Sequence, residues 1–315
     1  MSDLPTPRGH LDTERSHPAS AGLDRMSVAD AFDCMNGLDS EVAAAVAAAR
    51  EEIVEVIELV RARLRGGGRL IYVGAGTSGR LAVLDAVECP PTFQSDPDSV
   101  RAVIAGGPSA LTGAVEGAED DRDGAVGALD ELEVGPRDVV FGISAGGTTP
   151  FVAGALDHAR SREAATVFFA CVPRTSVPDR ADLSIRVLTG PELLAGSTRL
   201  KAGTATKLVL NAVSTLAMAG LGKVHGNLMV DVNTRANEKL TDRGIRLVRE
   251  LCAVDRERAA RLLERAGGSV KLAVVMERGG VDPATARERL ERAGGSLGLA
   301  LDPDAGDARL PESAN

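Results

Sequence analysis

The chain is 315 residues long, 44% hydrophobic and 26% charged, with a formal net charge of −9. A chain of that size buries one substantial core with material left for a smaller module, and its balance is that of an ordinary globular protein. The negative charge argues against nucleic acid and against an anionic membrane surface, and 2% aromatic content with no tryptophan leaves few platforms for stacking bases or sugar faces.

In chain order, residues 1–25 read as a polar, partly disordered arm with no apolar stretch of the signal-peptide kind. A short helix is expected at 30–36. Residues 41–65 read as one long helix, rich in Ala and Glu, with Ile53, Ile57 and Val60 at helical spacing and Gly66-Gly67-Gly68 at its end. Apolar runs at 70–73, 101–105, 139–143, 166–171 and 183–187 then alternate with helical patterns at 79–88, 109–130 and 151–162. Such alternation predicts an α/β fold, a doubly wound parallel sheet flanked by helices, with ligands at the carboxyl ends of its strands.

Residues 198–220 read as a long, largely apolar helix carrying Arg199, Lys201 and Lys207. No run of about eighteen apolar residues stands out, so no membrane span and a cytoplasmic location are expected. Further on, Glu264-Arg265-Ala266-Gly267-Gly268-Ser269 recurs as Glu291-Arg292-Ala293-Gly294-Gly295-Ser296. Two copies are too few for a solenoid and predict a small module of short helices. The acidic end after Leu301 is expected to fray. Cys34, Cys89, Cys171 and Cys252 lack metal-ligand spacing, so reduced thiols and no metal are expected. The expected division is an N-terminal arm and long helix over 1–57, a sheet domain over 58–223 and a C-terminal helical region over 224–315.

Two loops stand out. Gly74-Ala75-Gly76-Thr77-Ser78-Gly79-Arg80 joins the first apolar run to a helix predicted to begin at Ser78 or Gly79. Unpaired N–H groups at a helix start, with the helix dipole, favour a phosphate, and the Thr77 and Ser78 hydroxyls add donors. Ser144-Ala145-Gly146-Gly147-Thr148-Thr149-Pro150 repeats the arrangement after another apolar run, with Pro150 suited to a first helical turn. Two such loops in one sheet predict a phosphorylated ligand held between them. The glycine spacing also meets the dinucleotide fingerprint, but Asp96 and Asp98 precede the next strand, where a ribose-binding acid should end it.

Among carboxylates, Glu88 follows Leu84 by four and so falls on the stripe expected to be buried. It stands just before Cys89-Pro90-Pro91, which is expected to stop its helix. Pattern leaves it either in a pocket or at a wet helix end. Glu116 and Glu119 lie together in the run 110–121, and pattern alone does not separate them. His225, beside Gly226, reads more readily as a structural hydrogen-bonder than as a base. The residues by themselves support an anion pocket of sugar-phosphate size with acid/base carboxylates nearby.

Both loops resemble the phosphosugar-binding loops of the sugar isomerase (SIS) domain. Longer stretches resemble the N-acetylmuramic acid 6-phosphate etherase family over roughly residues 11–300. They are Thr13-Glu14 with Pro18-Ala19-Ser20, the first loop through Glu88-Cys89-Pro90-Pro91-Thr92-Phe93, and Val115-Glu116-Gly117-Ala118-Glu119-Asp120. Residues 198–211 and Val232-Asn233-Thr234-Arg235-Ala236-Asn237 with Lys239-Leu240 complete them. Gln94 stands where glycine is expected in that family, which bears on the local turn.

The resemblance implies a SIS-type fold with UBA-like short helices at the C-terminal end, and cleavage of the D-lactyl ether of N-acetylmuramic acid 6-phosphate without metal or redox cofactor. It implies Glu88 and Glu116 as the acid/base pair, with Glu88 at the proton donor's position. Gly76, Thr77, Ser78, Ser144, Gly146, Gly147 and Thr148 would hold the 6-phosphate, and Arg199, Lys201 or Lys207 are candidates for the lactyl carboxylate. From Ser78 to Glu88 a helix rises roughly 15 Å at about 1.5 Å per residue, so Glu88 needs a bent approach or a neighbouring subunit. SIS-type proteins that this chain resembles form dimers with sites near the interface, so the resemblance implies a homodimer.

Two rivals share the fold. A sugar-phosphate isomerase needs an enolising base but no acid for a departing ether. A phosphosugar-sensing regulator like the glucokinase regulatory protein is expected to be longer, with a second SIS unit. A transcriptional sensor would need a basic helix-turn-helix, for which the acidic stretch 41–65 is unsuited.

Overall fold

The structure, a computed structural model, describes residues 8–302. It divides into two compact units, one of residues up to Val87 with Asp98–Ser214, the other of Glu88–Pro97 with residues from Thr215 onward.

The first unit is built on a parallel sheet of β1 (Leu70–Gly74), β2 (Val100–Ile104), β3 (Val139–Ile143), β4 (Ala165–Ala170) and β5 (Leu183–Arg186), in the order β2-β1-β3-β4-β5. These strands lie within one residue of the apolar runs that predict them. β1, β3 and β4 are buried along their whole length, which is why they read as unbroken apolar runs, whereas the edge strands β2 and β5 are only partly covered. In this order the chain turns away from β1 toward β2 and away from β3 toward β4. The two crossovers diverge and open a crevice at the carboxyl ends of β1 and β3. Gly74 pairs with Ile143 at the last rung, so both predicted loops start from adjacent points on that crevice.

The helices of this part are α1 (Val28–Ser40), α2 (Val42–Ala48), α3 (Arg50–Arg65), α5 (Val126–Glu131) and α6 (Pro150–Ser161), with α4 (Gly76–Phe93) as far as Val87 and α7 (Lys201–Met218) as far as Ser214. Ile71, Val73 and Val140 pack with Leu129 of α5 and Phe151, Val152 and Ala155 of α6. On the Tyr72 face, the phenol donates to one oxygen of Asp85 on α4 and the Ser214 hydroxyl on α7 donates to the other, each at 3.1 Å. Burial holds the Asp85 carboxyl above its ordinary range, against the downward pull of both hydrogen bonds.

Residues 12–25, expected to be loose, form three short 3-10 turns, and Leu11 and Thr13 are buried; the rest of the predicted arm, 1–7, lies outside the described residues. The single helix over 41–65 is two, α2 and α3, broken at Ala49, the best helix former. Ala49 is itself buried, so packing sets the break. The helix over 109–130 exists only as a 3-10 turn (Gly107–Leu111) and α5. Between them Gly117 takes a φ of 74°, and Asp121 accepts the Asp123 N–H at 3.1 Å, turn chemistry that a helix reading overlooks.

α4 starts at Gly76 and runs through Pro90 and Pro91 to Phe93. The prolines remove two donors yet do not stop it, and the Gln94 N–H closes the last turn on the Pro90 carbonyl at 2.9 Å. By length and composition alone, Lys201–Lys223 is long and apolar enough to cross a membrane, a test that the core helix of a globular protein also passes. Burial accounts for only part of its apolar character: Ala202, Ala205, Val209 and Val213 are inaccessible, whereas Leu208 and Leu216 are exposed.

The second unit packs α8 (Glu238–Cys252), α9 (Arg256–Arg265), α10 (Val270–Gly279), α11 (Pro283–Arg292) and α12 (Leu297–Leu301) around Val248, Leu263, Val274 and Leu297. Asn237, Asp255, Ser269, Asp282 and Ser296 cap these helices in turn. The six-residue repeat proves to be a helix-to-helix joint: its glycines end α9 and α11, and its serine caps the next helix. The first joint is held by the Thr234 hydroxyl, which donates to the Gly268 carbonyl at 2.6 Å. The frayed end expected after Leu301 lies outside the described residues beyond 302.

Candidate active site

The first loop is shaped by close approach. A Cβ on Gly79 would lie 2.5 Å from Ile104 Cγ1 and 2.7 Å from the Gly74 carbonyl oxygen, so only glycine lets α4 leave β1 here. Gly76 opens α4 with a φ of 53°, and Thr77 and Ser78 are half-buried in its first turn. Thr77 also lies beside α7, its methyl 3.6 Å from a Cβ position on Gly203.

The second loop is braced from within. Ser144 is buried; its Oγ sits 2.8 Å from Thr149 Oγ1 and accepts the Thr149 N–H at 3.3 Å. The Gly147 N–H returns to the Ser144 carbonyl at 2.9 Å, and Cys171 donates to the Ala145 carbonyl at 2.8 Å. Gly146, Gly147 and Thr148 remain half-exposed ahead of Pro150 at the start of α6.

A cavity of about 310 Å³ brings Gly76 and Arg80 of the first loop together with Val115, Glu116 and Glu119. Two contacts fix this wall. Arg80 Nη2 donates to the Gly113 carbonyl at 2.6 Å, and Val115 packs against Gly106 at the end of β2. Glu116 and Glu119 are both exposed within it. Arg80 was legible only as the last residue of the loop motif; its role as anchor of the Glu116 turn depends on a carbonyl far along the chain.

Glu88 is exposed and is not among the residues lining that cavity. The stripe predicted for it is wrong. The inward side of α4 is Ala82, Asp85, Ala86 and Cys89, while Leu84 and Val87 are 42% and 57% exposed. A buried aspartate among small residues disguised the true stripe; Ala82, Ala86 and Cys89 at helical spacing were its signal.

Of the candidate cations, Lys201 is buried, Arg199 is exposed, and Lys207 donates to Asn211 one turn on. Glu192 is fully buried and accepts the N–H groups of Lys201 and Ala202 at 2.8 and 3.0 Å, which caps α7; burial keeps its carboxyl above the ordinary range. Cys171 is buried nearby, its thiol pushed up to about 12 by burial. His225 exchanges backbone hydrogen bonds with Leu228 at 3.0 Å. Lys271 is buried and donates to Asp231 at 2.6 Å, and burial lowers its ammonium.

The chain is similar to known proteins along most of its length. A family model described as the glucokinase regulatory protein N-terminal SIS domain matches residues 52–160. An N-acetylmuramic acid 6-phosphate etherase from Gloeobacter violaceus is 55% identical over 269 residues, covering 85% of this chain and 88% of the relative. One from Synechocystis is 53% identical over 273 residues, covering 87% and 89%. Among solved structures, a phosphoheptose isomerase from Francisella tularensis matches 63% of this chain and 99% of its own, at 17% identity and a TM-score of 0.45.

Proposed function

The chain belongs to the N-acetylmuramic acid 6-phosphate etherase family, and from that premise we propose how its residues cleave the D-lactyl ether of that phosphosugar. The products are N-acetylglucosamine 6-phosphate and D-lactate. In the open-chain aldehyde the C2 proton is acidic because it lies α to the C1 carbonyl. A carboxylate removes it while a carboxylic acid protonates the C3 ether oxygen, and D-lactate departs. Water then adds at C3 of the α,β-unsaturated aldehyde, and C2 regains a proton.

Glu88 and Glu116 are the acid/base pair in this reading, with Glu88 the donor to the leaving oxygen; each contributes on the order of 10²–10⁴ in rate. Gly76, Thr77 and Ser78 with Ser144, Gly146, Gly147 and Thr148 hold the 6-phosphate at two loops opening on one crevice. The observation that supports the reading most directly is the cavity in which Gly76 and Glu116 share a wall.

The protein acts as a cytoplasmic homodimer in this reading. Apolar side chains on α4 and α7, Leu84, Val87 and Leu208, are 42%, 57% and 37% exposed, which suits a face covered by a second copy. Light scattering tests this: a fully active monomer overturns the dimer.

The functional test is incubation with N-acetylmuramic acid 6-phosphate in ¹⁸O-water. D-lactate release with ¹⁸O at C3 of the amino sugar is expected; label in the lactate instead would mean displacement at the lactyl carbon. Conversion of a sugar phosphate between aldose and ketose, with no lactate, would favour an isomerase.

A further inference from the structure

Thr13 lies in the 3-10 turn Asp12–Glu14, with no accessible surface. Its backbone is held on both sides. Leu11 is part of the core beneath α6, and the Thr13 carbonyl accepts the Gly196 N–H at 2.9 Å. Further along, the Ser20 hydroxyl donates to the Leu193 carbonyl at 2.7 Å, so the whole segment is strapped to residues 193–196. The Thr13 hydroxyl, among the described residues, has no hydrogen-bond partner. It faces the second loop, 3.7 Å from a Cβ position on Gly146.

A buried hydroxyl without a partner is destabilising, and valine would fill the same space without that cost. The same loop presents the N-terminus of α6, where Gly146 and Thr148 are half-exposed ahead of Pro150. We propose that Thr13 is a substrate-binding residue: its hydroxyl donates a hydrogen bond to a phosphate monoester seated on the Ser144–Thr149 loop. The segment before the sheet thereby closes the anion site from a direction neither loop covers. This inference rests on the phosphosugar reading above.

The test measures binding of N-acetylglucosamine 6-phosphate and of inorganic phosphate by calorimetry, with the full chain. Thr13→Val is expected to weaken both about 10- to 100-fold, as for a hydrogen bond to a charged group, without lowering the melting midpoint. Thr13→Ser should bind within about threefold of wild type, because the hydroxyl, not the methyl, makes the contact. Unchanged binding in Thr13→Val, equal weakening in Thr13→Ser, or a loss confined to the sugar phosphate would each overturn the proposal. Wild-type protein that binds neither probe sinks the phosphosugar reading and this inference with it; wild-type binding with an indifferent Thr13→Val sinks only the inference. Should Thr13→Val not fold, a crystal structure of the wild-type complex decides. Thr13 Oγ1 within about 3.2 Å of a phosphate oxygen supports the contact, and a longer separation refutes it.

Discussion

Gly79 and Ile104 meet so closely that a methyl group on the glycine would sit 2.5 Å from Ile104 Cγ1. This contact sets where α4 leaves the sheet, and so where the first loop points. Gly79→Ala is expected to destabilise the first unit by roughly 1–3 kcal/mol and to reduce phosphosugar binding. Gly127→Ala, on α5 with open space around it, is expected to stabilise by about 0.5–1 kcal/mol. Urea melts of the two variants check the contrast; similar shifts would refute it.

Gln94 occupies the left-handed region, φ 48°, at the end of α4, where glycine was expected. A side chain in that region costs about 1–2 kcal/mol, partly offset by the greater freedom glycine has when unfolded. Gln94→Gly is therefore expected to raise the melting midpoint slightly, and Gln94→Ala to leave it near wild type. A lowered midpoint in the glycine variant would show that the Gln94 side chain makes a compensating contact.

Substitution of either glutamate separates chemistry from binding. Glu88→Gln and Glu116→Gln keep shape and remove the carboxyl proposed to carry the proton, so kcat for D-lactate release should fall on the order of 10²–10⁴ in each. Product affinity should change little. Full turnover in both variants would remove the pair from the mechanism.

Asp85 makes stability depend on pH. Its ordinary carboxyl value of 3.8 is raised by burial in the folded protein. The folded state therefore binds the proton more tightly, and the stability Asp85 contributes is present below 3.8 and lost as pH rises through the raised value. Relative to Asp85→Asn, wild-type protein should lose melting temperature over that window and hold a constant difference above it. Parallel curves from pH 3 to 8 would mean that Asp85 is not perturbed.

The comparison of Glu116 with Glu88 shows how far residue pattern reaches. Glu116 sits in a run that reads as helix, yet Gly117 at positive φ and the Asp121 turn deny it that form, and Arg80 and Gly106 hold its segment beside Gly76. Glu88 sits on a true helix but on its exposed side, because the inward position on α4 is taken by Asp85. Local propensity fails at both places for the same reason: the deciding partners are distant in the chain.

From residue order alone came the parallel sheet, its strand positions and the two loops that open on its crevice. Buried parallel strands demand unbroken apolar runs, and helix starts that take up anions demand glycine and hydroxyls in short order. Tertiary structure alone decided that α4 continues through two prolines, that the Glu116 segment is a turn, and that the buried Thr13 hydroxyl lies against Gly146 without a hydrogen-bond partner among the described residues. Each depends on which remote surfaces exclude water together, a property that no window of neighbouring residues contains.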